Sequence, residues 1–134
     1  MISTDGRIAN VAYSEGAREV KKNLSRIVST RIQRDKLKRA IDQMRDVDTD
    51  IYLQAYADYI SAAGEHANAR NIIVDYRELK CLTPKQVSVF AFRFEKCYSI
   101  GRTARAVGVS PDRVKKIIHE ACERIAEAIK KVPP

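Results

Sequence analysis

The chain has 134 residues, 45% of them apolar, with 25 Lys and Arg against 17 Asp and Glu and a net charge of +8. That length suits one domain or a small domain with a helical arm, and about two-thirds of the unfolded surface is buried at this size, so folding needs no disulfide or metal. The apolar content excludes a compositionally disordered chain, five Gly and four Pro are too few for a turn-rich sandwich or barrel, and no run approaches the ~18 apolar residues of a membrane span.

The opening stretch MISTDGRIANVAYSEG lacks the apolar core of a signal peptide, which predicts a cytoplasmic protein. The three cysteines, Cys81, Cys97 and Cys122, are odd in number and widely spaced, with no C-x-x-C pair. They read as reduced thiols rather than a disulfide framework. With only His66 and His119 besides, neither a metal site nor a histidine-based active site is expected. No phosphate loop, nucleophile–base pair or conspicuous acid pair is present, so neither catalysis nor a cofactor is expected.

Charge is unevenly placed. Residues 1–46 have a net of +5, residues 47–82 a net of −3, and residues 83–134 a net of +6. Two basic segments flanking an acidic one suggest distinct faces or partners, and positive charge by itself says only that a polyanion is attracted.

Residues 7–28 place Ile8, Val11, Ala12, Ala17, Val20, Leu24 and Ile27 at helical spacing, with a break suggested near Ser14–Gly16. Residues 29–46 continue the pattern with Ile32, Leu37, Ile41 and Met44, opposite a basic face of Arg31, Arg34, Lys38, Arg39 and Arg45. Asp46, Asp48 and Asp50 alternate like the start of a calcium loop, but Ile51 and Ala57 stand where such a loop needs Gly and Glu. A turn and a helix N-cap fit better. The following helix is expected to bury Leu53, Tyr56, Ile60 and Ala63 and to stop at Gly64. A further helix is expected from His66 to Leu79, with Ile72, Ile73, Tyr76 and Leu79 on one face. Tyr52, Tyr56 and Tyr59 fit helix packing better than a base-stacking surface.

The segment from Leu82 onward is the most informative. Thr83-Pro84-Lys85-Gln86 is a capping box with Pro at the first helical position, leading a helix that should bury Val87, Phe90, Ala91 and Phe94 and end near Lys96–Cys97. A short helix begins at Ser99. Ala104 permits a close helix crossing, and Gly108 supplies the left-handed turn. Val109 plugs the turn, and Ser110-Pro111 starts a second helix anchored by Val114, Ile117, Ala121 and Ile125. This is a helix-turn-helix pattern. The exposed face of its second helix carries Asp112, Arg113, Lys115, Lys116 and His119. Arg113 suits a guanine edge in a major groove, and Lys115 and Lys116 suit phosphates. Asp112 suits the helix N-terminus or a cytosine amine. Arg102 and Arg105 on the preceding helix are placed for the DNA backbone.

These residues resemble region four of bacterial sigma factors, closest to the extracytoplasmic-function type. The likeness rests on Leu82-Thr83-Pro84-Lys85-Gln86, Phe92-Arg93-Phe94-Glu95, Tyr98-Ser99, Ala104, Val107-Gly108-Val109-Ser110-Pro111 and Val114-Lys115, and continues through His119–Ile125. Pro111 stands where primary sigma factors carry Arg, and Gly101-Arg102-Thr103 replaces an acidic pair and Ile. The resemblance implies that Asp112, Arg113, Lys115 and Lys116 read a promoter element and that the unit docks on RNA polymerase. The first 80 residues have no Trp and are short for a region two with its linker, so a self-sufficient sigma factor is not expected.

The expectation is an all-α protein: a helical N-terminal region, 1–80, for oligomerisation or partner binding, and a helix-turn-helix DNA-binding domain, 81–134. The function expected is a sequence-specific transcriptional regulator that binds double-stranded DNA, nucleoid-associated and similar to phage late-gene activators. Three alternatives stay open: an RNA polymerase-binding module without DNA specificity, a phage packaging or recombination subunit, and a response-regulator output domain, although residues 1–80 show no receiver-like strand pattern. A homodimer paired through the apolar faces of residues 7–46 and packing of those faces on the chain's own C-terminal domain are equally open, and no membrane partner is expected.

Overall fold

Residues 12–132 are described by the structure, a computed structural model, and every regular element among them is helical. Helix α1 spans Glu15–Asp42, α2 Thr49–Glu78, α3 Pro84–Phe90, α4 Ile100–Val107 and α5 Pro111–Lys130. A π-helical turn, Ala91–Glu95, extends α3. The all-α expectation holds, with the helix-turn-helix at the C-terminal end.

The break suggested near Ser14–Gly16 is the start of α1. The Ser14 hydroxyl accepts from the Ala17 N–H and caps the helix. Ala17, Val20, Leu24 and Ile27 are buried, as their spacing predicts, whereas Ile8 and Val11 lie outside the described residues. Ile32 departs from the expected apolar face and is exposed, while Leu37, Ile41 and Met44 are half-buried. The difference is one of phase. Ile27, Thr30, Arg34, Leu37 and Ile41 follow a three-four spacing, and Ile32 falls on the other side of the helix.

Helices α1 and α2 form an antiparallel hairpin. Asn23 Nδ2 donates to Tyr76 Oη at 3.1 Å, and further out Thr30 Oγ1 lies 3.0 Å from His66 Nδ1. The Thr30 hydroxyl also sits 2.7 Å from the Arg26 carbonyl and can donate there. It then accepts from the Nδ1–H tautomer of a neutral His66. Burial and the nearby charges of Arg34 and Arg70 push the His66 pKa below its usual value, which favours that neutral form.

Two expectations for α2 are corrected. It does not stop at Gly64 but runs unbroken to Glu78, replacing the two helices expected. Its buried face is Ala62, His66, Ala69, Ile73 and Tyr76, not Leu53, Tyr56 and Ile60, which are exposed, or Ala63, which is half-buried. Packing against α1 on both sides of Gly64 holds that residue helical, at the usual cost of about 1 kcal/mol relative to Ala.

Helix α3 has the expected capping box. Gln86 N–H donates to Thr83 Oγ1, and Thr83 N–H to Gln86 Oε1. Its core face is Gln86, Val89 and Phe90, so Val87, expected inside, is exposed. Phe94 is buried as expected and meets Phe90 edge-on at 5.2 Å.

One continuous core joins all these elements. It runs from Ala17–Ile27 of α1 and Ala69–Tyr76 of α2, through Val89, Phe90, Phe94 and Ala104, to Val114–Ala126 of α5. Helices α1 and α5 cross closely where Gly16 meets Ala126: a Cβ on Gly16 would stand 3.1 Å from the Ala126 Cβ.

Because Gly64 is helical with nothing within 4 Å of a would-be Cβ, Gly64→Ala should stabilise the protein by about 0.5–1 kcal/mol in thermal or urea unfolding. A loss of stability would mean that the helix is interrupted there.

Candidate nucleic-acid interface

The helix-turn-helix is built as its sequence prescribes. Ser99 caps α4 by accepting from the Arg102 N–H, and Ser110 caps α5 by accepting from the Arg113 N–H. Gly108 ends α4 at φ 83°, in the left-handed region, and both Gly108 N–H and Val109 N–H return to the Ala104 carbonyl. Ala104 is buried at the crossing, Val109 half-buried in the turn, and Val114 and Ile117 sealed beneath it. Thr103 is fully buried, and its hydroxyl has no hydrogen-bond partner among the described residues.

This frame exposes Asp112, Arg113, Lys115 and Lys116 on the first two turns of α5. Asp112 lies in the first turn, where a carboxylate favours the positive end of the helix dipole. No ion pair involves these four side chains among the described residues. On α4, the Arg102 guanidinium lies 3.8 Å above the Tyr98 ring, and Arg105 reaches back over Gly101.

His119 is placed differently. It is largely buried, its ring meets Tyr13 edge-on at 4.4 Å, and Nε2 lies 3.1 Å from the Ala12 carbonyl and 3.5 Å from Glu123 Oε2. It therefore faces the segment leading into α1. Beside it, Ser14 donates its N–H and its hydroxyl to the two Glu123 oxygens, at 2.9 and 2.7 Å. These two bonds hold the Glu123 carboxyl below its usual pKa, and His119 adds to the effect. Burial, with Cys122 and Glu123 nearby, pushes the Tyr13 phenol up to about 12.

Thus α1 forms the far wall of a cleft of about 700 Å³ whose near wall is the N-terminal half of α5. Asp112, Arg113, Lys115, Lys116 and His119 line one side; Tyr13, Lys21 and Ser25 line the other; Arg93 and Phe94 of the π-helical turn close one end. Arg93 is anchored by donating to the Tyr98 carbonyl at 2.7 Å. Lys21 sits 5.0 Å over the Tyr13 ring. Arg102 and Arg105 are not among the cleft residues. Sequence reading did not find Lys21 or Arg93, because nothing local marks residues that meet α5 only through folding.

The cationic side chains of the cleft can attract a polyanion. The one thiol in the core, Cys122, is buried and pushed up to about 12 by that burial, which leaves it unreactive. Among the described residues no three His, Cys, Asp or Glu side chains group as a metal site, and no helix is long and apolar enough to cross a membrane.

Residues 79–127 match the family model for Sigma-70, region 4. The resemblance expected from the motif is therefore borne out over α3, the π-helical turn, α4 and most of α5, a helix-turn-helix similar to sigma region 4. Comparison with curated proteins and with solved structures gave no match.

The buried Thr103 hydroxyl costs free energy without a partner, so Thr103→Val should raise stability by about 1 kcal/mol in thermal unfolding; lower stability would show a hidden partner. The Glu123 contact gives a pH signature. A carboxyl with a depressed folded pKa contributes its full stability above its ordinary value of 4.5 and loses it as pH falls through the folded value. Glu123→Gln should therefore cost about 1 kcal/mol at neutral pH and progressively less below pH ~4.5. A deficit that is constant across the acid range would show that the carboxylate charge is irrelevant to the contact.

Proposed function

We propose that this protein is a sequence-specific DNA-binding transcriptional regulator that inserts the N-terminal half of α5 into a major groove. The observation that carries the reading is the capped, rigidly seated α5, with Asp112, Arg113, Lys115 and Lys116 projecting from its first two turns within a segment that matches sigma region 4. Arg113 is assigned a base edge, and Lys115 and Lys116 the phosphates. Asp112 favours the helix N-terminus and is near enough to the groove to bias base choice. Arg102, supported by Tyr98, and Arg105 are assigned the flanking backbone. His119 is assigned a positioning role, holding the lead-in to α1 beside the groove-reading set.

In this reading, 81–134 is the DNA-binding unit and 1–80 provides oligomerisation or partner binding, in the manner of a phage late-gene activator acting at promoters in the bacterial nucleoid. The region 4 match also supports a second reading, in which the C-terminal unit docks on RNA polymerase and has no DNA specificity of its own.

The deciding measurement is selection of fragmented genomic DNA by the purified protein, beside Arg113→Ala/Lys115→Ala/Lys116→Ala. The wild type should enrich a discrete site, and the variant should lose it while keeping its helical content. Each base contact removed should weaken the specific site by about 1–3 kcal/mol. Each phosphate contact removed should lower the salt dependence by about one ion. Uniform, salt-sensitive enrichment that is the same for both proteins would overturn the DNA-reading assignment and favour polymerase docking.

A further inference from the structure

The outer half of the α1–α2 hairpin is an arm without an interior. From residue 28 to residue 61 no side chain is buried. The seam between its helices is made of half-buried Thr30, Arg34, Leu37 and Ile41 on α1 and Ala55 and Tyr59 on α2. Helical segments of roughly 14 residues each are marginal on their own, and helices of this kind draw their stability from packing an apolar face.

That face exists, but it points outward. Leu53, Tyr56, Ile60, Ala63, Ala67 and Val74, with Arg70 between the last two, follow an unbroken three-four spacing on the side of α2 away from α1. Leu53 is 56% exposed, Ile60 51% and Val74 56%, with Tyr52 and Tyr56 close behind. From Thr49 to Ala67 this stripe carries no charge; Asp50, Asp58 and Glu65 lie on other faces. Small residues at Ala63, Gly64 and Ala67 allow another helix to approach closely.

We infer that this face is the seam of a homodimer in which two α2 helices pair antiparallel and the two arms form a four-helix bundle. Area favours a second copy, and charge favours the antiparallel order. Five large apolar side chains at about half exposure present on the order of 500 Å². Two such faces together remove about 1,000 Å², enough for a specific interface once flanking residues are added. A parallel pairing would bring Asp46, Asp48 and Asp50 at one tip against their own copies. An antiparallel pairing centred between Ile60 and Ala63 instead holds those acidic tips at opposite ends of the seam. This inference deepens the N-terminal half of the proposed function, but it is tested without DNA, so its failure leaves the DNA-reading assignment untouched.

The experiment is sedimentation equilibrium of the full chain without nucleic acid, up to about 100 µM, where even a weak dimer is populated. The wild type should show twice the 15.2 kDa mass of one chain. Tyr56→Glu/Ile60→Glu should remain a single chain at every concentration. Ala67→Glu, at an exposed position of the same stripe, should weaken the dimer about tenfold by placing a charge in the seam, and should leave the helical content unchanged. That single exposed substitution keeps the test valid even if the first variant frays the arm. A wild type that stays a single chain overturns the proposal, as does a dimer indifferent to Tyr56→Glu/Ile60→Glu. A dimer indifferent to Ala67→Glu overturns the placement of the seam.

Discussion

The whole arrangement depends on the apolar arc of α5. Val114, Ile117, Ile118, Ala121, Cys122, Ile125 and Ala126 are all buried, and together they span about 180° of the helix, well beyond the ~100° stripe of an ordinary surface helix. The short α3 and α4 cover one side of that arc. The rest, where Ala126 meets Gly16, is closed by α1 from the opposite end of the sequence. The helix-turn-helix unit and the N-terminal helices therefore share one core. Loss of α1 would leave Cys122 and Ala126 facing water.

The same geometry divides the polar side of α5 in two. Its C-terminal half is used structurally: Glu123 receives the Ser14 cap, and His119 seats Tyr13. Its N-terminal half is left to Asp112, Arg113, Lys115 and Lys116. The boundary lies where the lead-in to α1 meets the helix, and this is why His119, at a spacing that continues the basic face, has a different environment. Lys21 joins the cationic side chains of the cleft for the same reason, since the crossing of α1 over α5 brings it in, and Arg93 joins them from the π-helical turn. A ligand in the cleft would touch α1 as well as the helix-turn-helix.

What was legible in the sequence was what short-range chemistry dictates. The Thr83, Ser99 and Ser110 caps, the Gly108 turn and the anchors Val114, Ile117, Ala121 and Ile125 each follow from the demands of a helix end or of one helical face, and each is found as read. The roles of the exposed side chains rest on the same pattern but depend on a ligand. What was not legible was the choice between faces. Helix α2 has two apolar stripes at the same spacing, one through Tyr59, Ala62, His66, Ala69, Ile73 and Tyr76, the other through Leu53, Tyr56, Ile60 and Ala63. Periodicity cannot rank them. The larger side chains suggested the second, but α1 packs on the first, where Ala62 and Ala69 let the helix axes approach and Thr30 satisfies His66. Val87 and Ile32 failed in the same way, by a step of phase round an otherwise correct helix.

The hairpin thereby inverts the usual order of a helical pair. Toward the tip its inner seam holds Arg34 and the Tyr59 ring, while outside it are Tyr52, Leu53, Tyr56 and Ile60. Half-exposed polar groups in the seam keep contact with water, so the inner face costs little and contributes little. The outer face bears the apolar surface that an isolated arm would have to hydrate. Both helices run without a break from tip to core, and the last turn of α2 carries Tyr76, which is buried against Asn23 in the core that seats α5. From Ile60 to Glu78 is about 27 Å of continuous helix at the usual rise. The outer face of the arm is thus coupled to α5 through packed helices rather than a flexible linker.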